Sequence, residues 1–153
     1  MTDSESKLTR LGFVFKKNYS NPVEVLIGIG AVDQLSTAIA PLKPDKVFVI
    51  CDTHIAKLYL KEMEQRLASK YEVHTIIHQP DEGNKKIEAV ARMSSEFFAY
   101  GGTSRSVICA FGGGLTANMA GLFASLAYRG VPFVNIPTTL LAQLDSAADV
   151  KQL

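Results

Sequence analysis

The sequence has little of what secreted, membrane or nucleic-acid-binding proteins use. It contains 2 cysteines in 153 residues, too few for the disulfide framework of a small secreted domain. Its net charge is +1, and it has no basic run to neutralise phosphates, which argues against nucleic acid as a partner. No apolar run approaches the roughly 20 residues that span a bilayer, and "MTDSESKLTR" lacks the apolar core of a signal peptide. We therefore expect a cytoplasmic protein that contacts neither nucleic acid nor membrane.

The cysteines and histidines do not predict a metal site. Cys51 and Cys109 lie in or near apolar strand-like runs, as is typical of free thiols that pack as small hydrophobic side chains. The histidines have no metal-ligand spacing such as H-E-x-x-H. His74 and His78 belong to or border the alternating run "YEVHTIIHQ", and we expect both to face solvent. We expect no metal ligand among these residues.

Short apolar runs and helical patterns alternate along most of the chain. "GFVFKK" and "PVEVLIGIG", separated by the turn "NYSNP", predict an N-terminal β-hairpin. The runs "KVFVICD", "EVHTII", "SVICAF" and "PFVNI" then predict strands that alternate with helices. In the helix after "KVFVICD", five apolar residues are expected to share one face, namely Ile55, Leu58, Tyr59, Met63 and Leu67. This order predicts an α/β fold with a mostly parallel sheet and helices on both faces.

Three consecutive glycines raise the possibility of a bound phosphate. In "FGGGLTANMAG", Gly112, Gly114 and Ala117 satisfy the pattern G-x-G-x-x-[GA] between a strand and a helix. Without Cβ atoms the backbone can approach a ligand closely, and the free N–H groups and dipole of the helix N-terminus favour a phosphate. The alternative is a tight strand-to-helix turn that binds nothing.

A second candidate ligand group follows the predicted strand "KVFVICD". Ligands of open α/β sheets bind beyond the carboxyl ends of the strands, where Asp52, the glycines and Thr138-Thr139 are all expected to lie. Asp52 is a candidate for the ribose hydroxyls of a nucleotide. It is equally a candidate N-cap of the next helix, and it can serve both purposes.

Together these residues resemble a known family, the sugar phosphate cyclases, which include 2-deoxy-scyllo-inosose synthase and 3-dehydroquinate synthase. The resemblance is carried by "GGGLTANMAG", "YRG", "IPTTLLAQLDS" and the closing "VKQ", and earlier by "CDTHIAKLYL" and "PDEGNKK". It implies a Rossmann-like NAD-binding domain followed by a helical metal-binding domain. It also implies a chemistry in which NAD oxidises a ring hydroxyl, phosphate is eliminated, the hydride returns and the ring recloses.

The resemblance assigns roles to individual positions of this sequence. It implies nucleotide contacts by Asp52, His54, Glu82, Lys85, Gly113, Gly114, Leu115, Asn118, Thr138 and Thr139. It implies that Arg129, Asp145 and Lys151 face the substrate or the nicotinamide. Each of these charges alone would be an ordinary surface residue, and only their joint spacing indicates a site.

Residues 112–118 and 151–152 also separate the branches of the family. "GGGLTAN" and "KQ" resemble the deoxyinosose synthase pattern and imply glucose 6-phosphate as substrate. The alternatives are 3-dehydroquinate synthase, a related metal-dependent alcohol or polyol dehydrogenase, and a non-catalytic nucleotide-binding module. We expect residues 1–153 to be the NAD-binding domain of a longer chain whose missing helical domain holds zinc or cobalt. The resemblance also makes a homodimer plausible.

Overall fold

A computed structural model describes residues 9–16, 20–80 and 87–145 of the chain. Within these ranges the strands are β1 (Thr9–Lys16), β2 (Ser20–Ile27), β3 (Lys46–Asp52), β4 (Glu72–His78), β5 (Val107–Gly112) and β6 (Phe133–Pro137). The α-helices in the same ranges are α1 (Leu35–Ile39), α2 (Thr53–Ile55), α3 (Lys61–Ala68), α4 (Ile87–Ala99), α5 (Gly114–Leu126) and α6 (Leu140–Leu144). None of these helices is long and apolar enough to cross a membrane.

Strands β1 and β2 form an antiparallel pair in the first of two compact units, Met1–Leu35. Their register pairs Thr9 with Ile27 at one end and Lys16 with Ser20 at the other. The predicted N-terminal hairpin is therefore confirmed.

The second unit, Ser36–Leu153, contains a parallel sheet with the strand order β4-β3-β5-β6. The chain runs from β3 outward to β4 and then returns to the other side of β3 to form β5. The winding direction therefore reverses between β3 and β5, which is the topological switch point where open α/β sheets bind their ligands. The prediction of a mostly parallel, Rossmann-like sheet is confirmed.

Helices cover both faces of this sheet because its central strands are apolar on both sides. Phe48 and Ile50 of β3 face α4 and α5, where they join a buried cluster that includes Phe97 and Phe123. Alternate residues of the same strand, such as Val49, point to the opposite face and are also fully buried. Small buried residues along α5 and just after it allow a close approach to the sheet: Ala117, Ala120, Gly121, Ala124 and Ala127.

One helical face differs from the prediction. Ile55, Met63 and Leu67 are buried, but Leu58 and Tyr59 are 57% and 49% exposed. The cause is a π-helical turn over Ala56–Leu60, between α2 and α3. Because a π-turn bonds residue i to i+5, it adds a residue to the turn and rotates the apolar face. A pattern of regular α-helical period cannot anticipate that rotation.

Asp45 organises a hydrogen-bond network at the amino-terminal edge of the sheet. The hydroxyls of Thr103 and Ser106 both donate hydrogen bonds to its carboxylate, and the bond from Ser106 is 2.9 Å long. Burial raises the pKa of Asp45, but these hydrogen bonds and the nearby Arg105 outweigh burial and hold the pKa below its ordinary value. The ionised carboxylate therefore stabilises the folded state.

We expect Asp45→Asn to lower the free energy of unfolding at pH 7 by about 1–2 kcal/mol, because one acceptor oxygen becomes a donor. Because the pKa of Asp45 is lower in the folded than in the unfolded state, its ionised carboxylate stabilises the fold fully at pH values above the unfolded pKa, roughly 4. This stabilisation is lost as the pH falls through the folded pKa. Urea unfolding at pH 7 and pH 3 should therefore show a gap between variant and wild type that shrinks in acid. A gap of equal size at both pH values would contradict this role.

Candidate functional site

The carboxyl ends of β3, β5 and β6 meet at one edge of the sheet. They are marked by Asp52, Gly112 and Pro137, and the backbone N–H of Thr138 donates to the Gly112 carbonyl over 2.9 Å. Since β3 and β5 flank the switch point, Asp52 and the glycines stand on its two sides. The structure thus places Asp52 and the glycines at one edge, as expected from the order of the elements.

Asp52 caps the helical segment that follows β3. Its Oδ1 accepts hydrogen bonds from the backbone N–H groups of His54 at 2.8 Å and Ile55 at 2.9 Å. The N-cap role is therefore confirmed. Both capping bonds fall on Oδ1, so the role leaves the second carboxylate oxygen, Oδ2, able to accept a bond from a ligand hydroxyl.

The first two glycines of the triplet have different reasons to be glycine. A Cβ on Gly112 would lie 2.6 Å from Thr116 Oγ1 and 2.8 Å from Thr116 Cβ, so packing within the fold excludes a side chain there. A Cβ on Gly113 would meet only the Thr139 side chain, with Cγ2 at an ordinary 3.5 Å and Oγ1 at 3.9 Å. Gly113 also has φ −81° and ψ −172°, which any residue adopts. The described fold does not require glycine at position 113, but a ligand in close contact with the backbone would.

The first turn of α5 presents its backbone donors at this edge. Ala117 N–H donates to the Gly113 carbonyl over 3.0 Å, so the N–H groups that precede it, on Gly114, Leu115 and Thr116, open the helix without intrahelical acceptors. The Leu115 side chain packs against the buried cluster. The backbone N–H of Leu115 is therefore the polar group that this residue offers to a nucleotide here.

Thr138 and Thr139 connect β6 to α6 beside the glycines. Thr139 Oγ1 accepts from the Ala142 N–H over 3.2 Å and so caps α6. Asp145 lies at the other end of that short helix, where its side chain is exposed and its N–H donates to the Leu141 carbonyl. The loop and helix after β6 therefore place Thr138, Thr139 and Asp145 at the same edge of the sheet as Gly113.

For the other predicted nucleotide and substrate residues, the structure gives only their exposure or does not describe them. His54 is exposed in the turn after Asp52, and Asn118 is exposed on α5. Glu82, Lys85 and Lys151 lie outside the described residues. Their roles stay predictions.

Arg129 is not brought to the glycine edge. It follows α5 at its carboxyl end and precedes β6, so it lies toward the amino-terminal edge of the sheet. The 13 residues of α5 correspond to about 20 Å at 1.5 Å per residue, which is beyond the reach of one arginine side chain. Arg129 and its neighbour Tyr128 also adopt left-handed φ values of 68° and 51°.

Sequence reasoning missed His78. We expected it to face solvent, but it is buried at the end of β4. Its Nε2 lies 2.9 Å from Thr116 Oγ1 on α5, and its Nδ1 lies 3.0 Å from the Gln79 carbonyl oxygen. The available signal was the strand period, which places His78 on the same face as the buried Ile76. His74 is half-buried as well, between the rings of Phe48 and Tyr100.

The cysteines do not supply a nucleophile. Both are free and buried, as predicted. Burial, followed by the charges of Asp52 and Glu64, raises the pKa of Cys51 to about 12, and burial raises the pKa of Cys109 to about 12. Both thiols are therefore protonated at neutral pH. In the described part of the chain, His, Cys, Asp and Glu form no group of three suited to a metal ion.

A parallel sheet with glycines and an acidic residue on the two sides of its switch point defines an α/β domain of the Rossmann-like class. Comparison with known proteins specifies the class further. The model of the 3-dehydroquinate synthase N-terminal family matches residues 75–152, about half of the chain. The chain belongs to this family.

Individual relatives agree with that assignment. The chain is 35% identical over 127 residues to 2-deoxy-scyllo-inosose synthase of Streptomyces paromomycinus, covering 82% of this chain and 33% of that protein. It is 31% identical over 123 residues to 3-dehydroquinate synthase of Halalkalibacterium halodurans, covering 80% of this chain and 34% of that protein. The chain therefore spans about a third of the length of these relatives.

A solved structure shares the fold. The crystal structure of 2-deoxy-scyllo-inosose synthase complexed with carbaglucose-6-phosphate, NAD+ and Co2+ superposes with a TM-score of 0.82 at 26% identity. The match covers 90% of this chain and 37% of that chain. That protein binds a nicotinamide cofactor, a metal and a sugar phosphate analogue.

Proposed function

We propose that this chain is the NAD-binding part of a sugar phosphate cyclase that acts on glucose 6-phosphate, similar to 2-deoxy-scyllo-inosose synthase. The observation that carries the proposal is Gly113. The described fold leaves room for a side chain there, and its backbone conformation suits any residue. A dinucleotide pyrophosphate in contact with the backbone accounts for the missing Cβ.

The glycine loop and the start of α5 would hold the pyrophosphate. The N–H groups of Gly114, Leu115 and Thr116 supply hydrogen-bond donors, and the helix dipole adds about half a positive charge at this end. No lysine or arginine is needed at the loop itself. Asn118, one turn further along α5, brings an amide that can donate or accept without the charge of an aspartate.

Asp52 would hold the adenosine ribose across the switch point. Its Oδ1 is used in capping the helical segment, and Oδ2 would accept from a ribose hydroxyl. His54, Glu82, Lys85, Thr138 and Thr139 are proposed as further nucleotide contacts.

Asp145 and Lys151 are proposed to face the substrate beside the nicotinamide. A lysine ammonium can neutralise the phosphate of the substrate, and a carboxylate can accept a hydrogen bond from a sugar hydroxyl. When bound, NAD supplies the reversible oxidation of one substrate hydroxyl. A divalent metal, zinc or cobalt, would be held outside the described residues.

The proposed role of Arg129 in binding substrate requires more than one copy of the chain. Because α5 separates Arg129 from the glycine edge, this residue cannot reach a substrate at that edge of its own sheet. A homodimer, which we propose, could bring it to the other copy's site. We also propose a cytoplasmic location, since NAD and phosphorylated sugars are the reactants.

The second candidate is 3-dehydroquinate synthase, which acts on a seven-carbon keto-acid phosphate. The matching family model and the 31% identical relative favour it. "GGGLTAN" and "KQ" favour the first candidate. The dehydrogenase and the non-catalytic module remain as outcomes of the test below.

Phosphate release from the intact protein tests the proposal. The protein would be given NAD and either Zn²⁺ or Co²⁺. Parallel reactions would contain glucose 6-phosphate or the seven-carbon keto-acid phosphate, a heptulosonate phosphate. We expect phosphate release from glucose 6-phosphate with no net accumulation of NADH, because the hydride returns to the substrate.

Each other outcome contradicts the proposal in a recognisable way. Release only from the heptulosonate phosphate would assign the protein to the second candidate. Accumulation of NADH with a simple polyol or alcohol would indicate a dehydrogenase. NAD binding without any turnover would indicate a nucleotide-binding module.

A further inference from the structure

We propose that His78 is a positioning residue for the nucleotide site, acting through Thr116 to fix the first turn of α5. The inference rests on the proposed function, since it concerns the same nucleotide. It assigns a role to the side chains of two residues to which the sequence analysis gave none. Both are buried, with His78 7% and Thr116 1% exposed.

Thr116 is held from two sides. On one side its Oγ1 lies 2.9 Å from His78 Nε2. On the other side it packs so closely against Gly112 that a Cβ there would lie 2.6 Å from the same hydroxyl oxygen. The Thr116 side chain therefore has little freedom to change rotamer.

His78 can hold Thr116 because its own ring is fixed. Its Nδ1 lies 3.0 Å from the Gln79 carbonyl oxygen, which can only accept, so Nδ1 carries a hydrogen. In the neutral ring Nε2 is then the acceptor, and the Thr116 hydroxyl donates to it. The backbone of His78 is in turn paired with Asp52 across β3 and β4.

This arrangement links the two sides of the switch point. His78 belongs to the strand beside Asp52, whereas Thr116 belongs to the first turn of α5, whose backbone N–H groups would hold the pyrophosphate. Binding groups must be held within about 0.5 Å of their productive position by the residues behind them. The His78–Thr116 hydrogen bond provides that support without contacting the ligand.

Calorimetric titration of the intact protein with NAD tests the role. Thr116→Val keeps the shape of the side chain and removes only the hydroxyl, and we expect it to raise the Kd for NAD about tenfold, the size of one lost hydrogen bond. Thr116→Ser keeps the hydroxyl and should stay within about twofold of wild type. His78→Leu should resemble Thr116→Val, and the double variant should bind no more weakly than the weaker single one.

Ser106→Ala is the matched control. Ser106 is also fully buried, and its hydroxyl donates over 2.9 Å to Asp45 at the opposite edge of the sheet. We expect this variant to lower the melting temperature as Thr116→Val does, with an unchanged Kd for NAD.

The outcomes separate this inference from the proposed function. If wild type binds no NAD, the proposed function fails and the positioning role fails with it. If wild type binds NAD and Thr116→Val binds equally well, only the positioning role is overturned. An equal loss of affinity in Ser106→Ala would also overturn it, because the effect would then reflect general loss of stability.

Discussion

Gly113→Ala is expected to weaken NAD binding about 10- to 100-fold while leaving the melting temperature of the protein unchanged. The added methyl has room in the ligand-free fold, where its nearest neighbour is Thr139 Cγ2 at 3.5 Å. With a pyrophosphate in place, the same methyl would intrude on a filled contact. Overpacking of that kind costs about 1–3 kcal/mol, and 1.4 kcal/mol corresponds to a factor of ten in Kd.

Two measurements check this prediction, a calorimetric titration with NAD and a thermal melt without it. A variant that melts like wild type and binds NAD equally well would return the loop to the status of a plain turn. A variant that melts much earlier would show that Gly113 is needed for the fold, contrary to its open surroundings.

Gly112→Ala, one residue earlier, is expected to have the opposite primary effect. Its Cβ would lie 2.6 Å from Thr116 Oγ1 and 2.8 Å from Thr116 Cβ, and Thr116 cannot yield without breaking its hydrogen bond to His78. We expect a loss of about 1–3 kcal/mol in the free energy of unfolding. Urea unfolding without NAD is the measurement.

Gly113→Ala serves as the control for Gly112→Ala, since both add one methyl to the same loop. Equal stability of the two variants would contradict the packing argument. If Gly112→Ala also binds NAD weakly, we expect its loss of affinity to accompany a lower free energy of unfolding. Gly113→Ala should instead lose affinity alone.

Much of the site could be predicted because it depends on chain order. In a parallel α/β sheet, residues that directly follow strands lie at the carboxyl edge, so Asp52, Gly113 and Thr138 had to be near one another. The N-cap role of Asp52 followed from its position before a helix. These inferences needed no knowledge of side-chain packing.

The same reasoning explains why Arg129 is far from that edge. A residue between the end of a helix and the start of the next strand lies at the amino edge of the sheet. Motif spacing alone grouped Arg129 with Asp145, but the order of elements separates them. Its proposed contact with substrate therefore depends on an assembly that spacing does not describe.

Two other features could not be predicted from regular sequence patterns. The π-helical turn at Ala56–Leu60 exposes Leu58 and Tyr59, although their spacing suits a regular buried face. His78 looks like an ordinary strand histidine until α5 brings Thr116 to within 2.9 Å of its ring. The role of His78 required the position of α5, an element distant in sequence.

We propose that NAD binds to the glycine loop and the first turn of α5. Amide hydrogen exchange of the intact protein with and without NAD, followed by mass spectrometry of its peptides, tests this binding site. We predict slower exchange in peptides spanning residues 112–118 and 138–140, and no change around residues 103–106 at the opposite edge. Binding of NAD with unchanged exchange at residues 112–118 would contradict this binding site.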